Sequence, residues 1–347
     1  MVKPSKERGR WPAFLGLRAW VFPVFTIDMR LCYFTAFYLV AVGAAPESAS
    51  GLVVIVRLLL AIAVYEAWGV LVNDYVDRDL DATAGKKTGL EETPFWQVNA
   101  LFVLLPLAGF LLIPDPLNHL MSVGILALCC ILAFIYSAPA GHRLKEKGAW
   151  GFVADVILEK PLPSLIIFAY FGRLGWDALI LALLYSSIGG FTLGLHQIWD
   201  HDTDREYGIG TMAVKLGKDK MRSLYRRVFV PFFYLTVGLT IALLIYRLGS
   251  FGLLAAGLLV VAVVALVYLV RSGIVLREDV KRREVSAELW VVYTYVDGPL
   301  PTLLGLLVVF QAPVYIPLLV ATLASQLHMF RRHYRWAMEK IGTAIRG

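Results

Sequence analysis

Charge is what this chain has least of. Only 17% of its 347 residues are Asp, Glu, Lys or Arg, 59% are hydrophobic, and the mean hydropathy is +0.68. A water-soluble domain carries about a quarter charged residues, so this composition excludes one and leaves an integral membrane protein. Cysteine is nearly absent as well. Cys32, Cys129 and Cys130 all fall in apolar runs, where a thiol is a small packing residue, so neither a disulfide framework nor a thiolate metal site is expected. No low-complexity stretch, strong repeat or composition break marks a second domain. The opening MVKPSKERGR is basic but runs into Trp11-Pro12 without a short apolar core or a small-residue cleavage site, so no cleaved leader is expected.

What is present is a succession of apolar runs of membrane length. They fall at about residues 21–45, 52–72, 95–113, 117–136, 150–171, 176–199, 228–246, 251–270, 289–309 and 314–329. The expected fold is all-α: a polytopic transmembrane helical bundle of nine to ten spans around a central cavity. Residues 1–20 read as a cytoplasmic N-terminal segment with Trp11, Arg18 and Trp20 at the interface, 21–330 as the transmembrane domain, and 331–347 as a basic cytoplasmic tail. Loop charges test this layout. Residues 1–20, 73–95, 137–149, 200–227, 271–287 and 331–347 are rich in Lys and Arg, whereas the alternate loops hold only Arg173 and Arg247. The positive-inside rule makes the rich side cytoplasmic in a cell (plasma) membrane. The net charge of +7 then speaks of loops and membrane lipid rather than nucleic acid.

The scarce acids are concentrated. Residues 71–81, LVNDYVDRDLD, end an apolar run with Asn73, Asp77 and Asp81 four apart and Asp74 seven before Asp81, which puts them on one side of a helix. So much like charge is tolerable when hard cations sit between the oxygens, and magnesium held by one or two carboxylates plus substrate phosphates is the common arrangement. A second cluster, HQIWDHDTDR at residues 196–205, repeats the pattern with Asp200 and Asp204 one turn apart and His196 one turn before. Two acidic ledges at the ends of apolar segments suit a metal-bound diphosphate. Further charges lie inside the runs, at a cost of about 2.5–3.5 kcal/mol each, so they are expected to face a polar interior. Glu66 lies seven residues before Asn73, Asp155 and Glu159 precede Lys160-Pro161, Asp28 and Arg30 open the first run, and Asp297 adjoins the helix break Gly298-Pro299-Leu300-Pro301.

Three stretches together resemble the UbiA superfamily of intramembrane prenyltransferases. The NDxxDxxxD signature is matched by Asn73, Asp74, Asp77 and Asp81; the DxxxD signature followed by Gly and Thr is matched by Asp200, Asp204, Gly208 and Thr211. Residues 136–148, YSAPAGHRLKEKG, resemble the YSAPP…LK…G loop of the chlorophyll-synthase and menaquinone branches. Two departures stand out. The Arg-Pro-Leu usual after Lys86-Lys87-Thr88 is replaced by Gly89-Leu90-Glu91-Glu92, and Ala140 stands where some relatives place a Lys, so a cation there must come from Arg143 or Lys145.

The resemblance implies Mg2+ as cofactor, a prenyl diphosphate as donor and a lipophilic acceptor from the bilayer, aromatic, quinone-precursor or similar. It implies metal ligation by Asn73, Asp74, Asp77, Asp81, Asp200 and Asp204, with Asn73 alternatively orienting Asp77. Lys86, Lys87, Arg143, Lys145 and Lys215 would stabilise charge on the departing diphosphate. Glu66, Tyr136, Asp155, His196 and Asp297 are the candidate contacts to substrate, and Asp77 and Asp200 the carboxylates on which turnover depends. Two rival readings remain: a terpene cyclase of the same superfamily, in which the tail quenches its own cation, and a cation-coupled transporter. Acid clusters at the span ends argue against the transporter, whose sites lie near mid-membrane. Intact ligand sets argue against a non-catalytic lipid scaffold.

Overall fold

The structure, a computed structural model, describes residues 13–20, 27–83, 87–138, 143–271 and 287–327, and the regular elements among them are all helices. In chain order they are α1 (Ile27–Ala41), α2 (Ala49–Val76), α3 (Phe95–Leu112), α4 (Leu120–Ser137), α5 (Ala149–Glu159), α6 (Pro161–Tyr170), α7 (Trp176–Glu206), α8 (Met212–Leu216), α9 (Lys218–Leu248, with a π-helical turn at Tyr225–Phe229), α10 (Ser250–Arg271), α11 (Ala287–Asp297), α12 (Pro299–Gln311) and α13 (Pro313–Leu327). A short helix, Arg78–Thr83, follows α2.

Six of these helices are long and apolar enough to cross a membrane: α2, α3, α4, α7, α9 and the unit Val291–Gln311 made from α11 and α12. Two of the expected helices are broken. Residues 150–171, expected as one span, divide into α5 and α6 because Pro161 has no N–H to continue the ladder and Pro163 follows within the next turn. Gly298-Pro299 divides α11 from α12 in the same way.

The core lies where α1, α2, α6, α7 and α9 meet, around Phe34, Phe37, Ile55, Leu58, Phe168, Tyr185, Phe191 and Phe233, all at most 2% exposed. Outward faces stay apolar: Val103, Leu104 and Leu111 on α3, Ile131 and Phe134 on α4, and Val260, Val261 and Val264 on α10 are all more than half exposed. A helix apolar on both faces belongs in lipid, so the protein is an integral membrane protein. Small residues set the closest approaches. A Cβ at Gly189 would lie 2.9 Å from Lys160 Cγ, and one at Gly194 would lie 2.9 Å from the Phe229 ring.

Candidate active site

The last turn of α2 carries Asn73 and Asp74. Asp77 closes the helix, its N–H donating to the Asn73 carbonyl at 2.9 Å, and the Asp81 N–H donates to the Asp77 carbonyl at 2.8 Å across the start of the next short helix. The four-residue rhythm therefore survives the break at Asp77. The carboxylates of Asp74, Asp77 and Asp81 are 2%, 8% and 5% exposed. Buried carboxylates require compensation, and for Asp74 and Asp77 it is supplied by cations from two other segments. Asp79, two residues out of step with Asp77 and Asp81, is exposed and pairs with its neighbour Arg78.

Arg18 forks onto Asp74, through Nη2 to Oδ1 and Nε to Oδ2, the latter at 3.2 Å. Arg143 and Lys145 each take one oxygen of Asp77. Lys145 Nζ also donates to Asn73 Oδ1 at 3.2 Å, which accepts a further bond from Ser137 Oγ at 3.4 Å. Burial pushes the Lys145 amine below its usual pKa, although Asp77 beside it pulls the other way. The sequence alone suits Arg18 to the membrane interface. Instead, residues 13–20 fold back on the loop after the first cluster: the Arg18 N–H donates to the Thr88 carbonyl at 2.9 Å, and Gly89, at φ +85°, packs where any Cβ would lie 2.5 Å from the Gly16 carbonyl oxygen.

The second cluster occupies the last turns of α7 and is held differently. His196 Nδ1 meets Asp200 Oδ2 at 2.7 Å, with side chains 71% and 50% exposed. Asp204 Oδ2 accepts from Thr211 Oγ1 at 3.2 Å, and the same hydroxyl caps α8 by accepting from the Val214 N–H. Gly208, at φ +70°, makes the turn that brings Thr211 back. Lys215 is exposed. Its stem lies against Gly148 and Gly210, where added Cβ atoms would come within 2.8 Å of Cδ and 3.1 Å of Cε.

One short loop touches both clusters. Residues 143–148 grip Asp77 through Arg143 and Lys145, and their far end pairs with the second cluster's return loop through a parallel bridge between Gly148 and Thr211. Glu146 lies between, accepting from Arg143 Nη1 at 3.0 Å, with its carbonyl against Gly210. Among the described residues, no three His, Cys, Asp or Glu side chains converge as a ready-made metal cage.

Behind the first cluster a cavity of about 220 Å³ runs into the bundle, lined by Asn73, Glu66, Tyr136, Asp155, Glu159, Asp28 and Arg18 among others. Lys160, buried at the α5–α6 break, ties Asp28 at 2.6 Å and Glu159 at 2.8 Å. Asp155 sits beside Tyr136. The expected contacts Glu66, Asn73, Tyr136 and Asp155 thus share one cavity. Asp297, expected there too, is absent from its lining. It is instead locked to Arg30, at 2.5 and 3.0 Å, in a buried fork between α11 and α1. His196, Asp200, Asp204, Lys87 and Lys215 do not line the cavity, and Lys86 lies outside the described residues.

A family profile described as the UbiA prenyltransferase family matches residues 33–292. No curated protein sequence matches significantly. Among solved structures, a UbiA homologue from Archaeoglobus fulgidus bound to DMAPP and Mg2+ superimposes with a TM-score of 0.54 at 13% identity, covering 84% of this chain and 98% of the homologue. The same homologue bound to GPP and Mg2+ gives 0.51 at 17% identity over 86% and 99%. The apo UbiA homologue from Aeropyrum pernix K1 gives 0.51 at 14% over 82% and 98%. At such identities the likeness to the solved structures is one of fold, whereas the profile spans both acid clusters and the loop between them. On that match, this chain belongs to the UbiA prenyltransferase family.

Proposed function

We propose that the protein is a magnesium-dependent prenyltransferase that moves a prenyl group from a prenyl diphosphate to a lipophilic acceptor, aromatic, quinone-precursor or similar. Its bundle would complete nine to ten spans of a plasma membrane, with the acid clusters toward the cytoplasm. The observation that carries this reading is the set of buried carboxylates Asp74, Asp77 and Asp81 beside Asn73 and Arg18, which line a cavity running into an apolar bundle. A prenyl diphosphate has the same division, a charged head and an apolar tail.

The residues present suit magnesium. Asn73, Asp74, Asp77, Asp81, Asp200 and Asp204 offer hard oxygen donors, and magnesium takes one or two carboxylates plus substrate phosphates rather than a complete protein cage. The absence of a preformed three-ligand cluster among the described residues is therefore compatible with it. Bound there with the diphosphate, the ion would neutralise the head and improve it as a leaving group.

The chain's own groups would do the rest. Arg18, Arg143 and Lys145, now on Asp74 and Asp77, stand within one side-chain swing of a diphosphate at those carboxylates and would stabilise charge on the departing oxygen. Lys215 would approach from the second cluster. As the C–O bond to the diphosphate breaks, the allylic cation would form inside the cavity, away from water. A bond to the acceptor's electron-rich carbon or oxygen follows. The acceptor's proton would pass to a carboxylate lining the cavity, Glu66 or Asp155, with Tyr136 positioning the latter.

The test is mass spectrometry of the purified protein with magnesium and a panel of prenyl diphosphates, with and without lipid extract. A prenylated lipid that forms only with extract supports transfer. Diphosphate release without acceptor, together with a cyclised hydrocarbon, would favour the cyclase, and no release from any donor would favour a transporter or scaffold.

A further inference from the structure

The other end of α7 holds a site that this chemistry does not use. From Asp177 to Asp204 the helix runs about 40 Å, and at its start lies a second cavity of about 290 Å³. Its floor is apolar, from Leu39, Val42 and Phe168, and its polar groups are Arg173, Asp177 and Arg247. These arginines are the only Lys or Arg in the loops that the charge pattern assigns to that face, and the fold brings both to one cavity from segments more than seventy residues apart. Arg247 donates to Asp177 Oδ1 from Nη2 at 2.9 Å and Nε at 3.3 Å, and Tyr38 Oη donates to Asp177 Oδ2 at 2.6 Å. The Arg173 guanidinium makes no hydrogen bond or ion pair among the described residues.

Two guanidiniums and one carboxylate leave one positive charge, the complement of a single phosphodiester. The first turn of α7 faces the same place, and Gly175, its cap, offers no side chain to its open N–H groups. The surroundings suit a lipid rather than a soluble anion. Trp176 is 79% and Tyr246 81% exposed, as aromatic rings are at a membrane interface, and the Arg247 guanidinium lies 5.4 Å from the Tyr246 ring centre. Leu174 and Leu179, each nearly half exposed, extend the apolar rim.

We propose that this cavity binds the phosphodiester headgroup of an anionic membrane lipid in the leaflet away from the acid clusters. Arg173 is the arm that closes on the phosphate, and the Tyr38–Asp177–Arg247 network holds the second guanidinium in place. The proposal stands apart from the prenyl-transfer reading, since it uses none of the same side chains.

Native mass spectrometry of the delipidated full chain, titrated with phosphatidylglycerol and separately with phosphatidylcholine, tests it. One phosphatidylglycerol should be retained preferentially. Arg173→Gln should lower that retention about tenfold by removing a charge-assisted contact, and Arg173→Lys should recover part of it. Because Arg173 supports no other group, an unchanged elution profile will show that both variants fold. Equal phosphatidylglycerol retention in wild type and Arg173→Gln would overturn the proposal. So would equal affinity for soluble glycerol 3-phosphate, which would assign the cavity to a free anion.

Discussion

The two acid clusters read alike in the sequence, carboxylates four apart at the end of an apolar run, yet the fold treats them in opposite ways. Asp74, Asp77 and Asp81 are buried, and Asp74 and Asp77 are wrapped by cations from the N-terminal segment and the 143–148 loop. Asp200 and Asp204 stand at least partly open and are steadied by neighbours in their own cluster, His196 one turn back and Thr211 seven residues on. The difference teaches that one cluster is assembled by tertiary structure and the other by local structure. The first is a stiff wall whose charges are already balanced. The second is a side whose acids are more open to solvent than those of the first.

Substitutions that act on only one wall sharpen the contrast. The largest effect is expected at Asp77. From sequence alone, Asp77→Ala and Asp200→Ala should both abolish turnover with folding intact. The structure changes the expectation for Asp77, because its loss takes the carboxylate that both Arg143 and Lys145 hold and leaves Glu146 as the one acid paired with Arg143. Breaking a buried pair from one side costs about 3–5 kcal/mol, so Asp77→Ala should also lower the melting temperature in detergent. Asp200→Ala, removing a half-exposed contact, should shift stability by less than about 1 kcal/mol. Equal melting temperatures for the two variants would break the comparison.

Arg18→Ala comes next. It leaves the Asp74 carboxylate buried without its forked partner, a loss of about 1–3 kcal/mol, and on the proposed mechanism it should cut kcat/KM at least tenfold. An Arg18 that merely anchors the interface would leave both quantities unchanged. Gly148→Ala tests the loop between the clusters. At φ +65°, with Lys215 Cδ 2.8 Å from the new Cβ, the substitution should cost about 1–3 kcal/mol of local strain and reduce activity through both walls, with the loss visible in thermal melts. The smallest effect is expected for His196→Ala. Its pair with Asp200 lies at the surface and is worth at most about 1 kcal/mol, so a few-fold rise in KM for the donor with unchanged melting is the expected reading.

Several features were legible without coordinates because they depend on near neighbours along the chain. Residues four or seven apart share a helix face wherever that helix sits, so Glu66 and Asn73, seven apart, could be placed on one cavity from spacing alone. Pro299, after Gly298, announces a break by its missing N–H. The membrane assignment needed only composition. Span count was harder, since the run 150–171 is long enough to read as one span even though Pro161 and Pro163 interrupt its ladder.

Other features arise from long-range pairing, which no local pattern encodes. Arg18 lies 56 residues from Asp74, Arg143 lies 66 from Asp77, and Arg30 lies 267 from Asp297; in each case the carboxylate's spacing is identical whether the cation is there or not. This is why Asp297 read as a substrate contact and Arg18 as an anchor. The sequence by itself determined the helices, their apolar faces and the two acidic ends, because helical period and side-chain hydration act within a few residues. Only the tertiary structure decided which acids are buried, which cations balance them, and that Arg173 and Arg247 meet across the far end. Burying a charge is tolerable only where another segment brings its counter-charge, and that depends on how the helices pack.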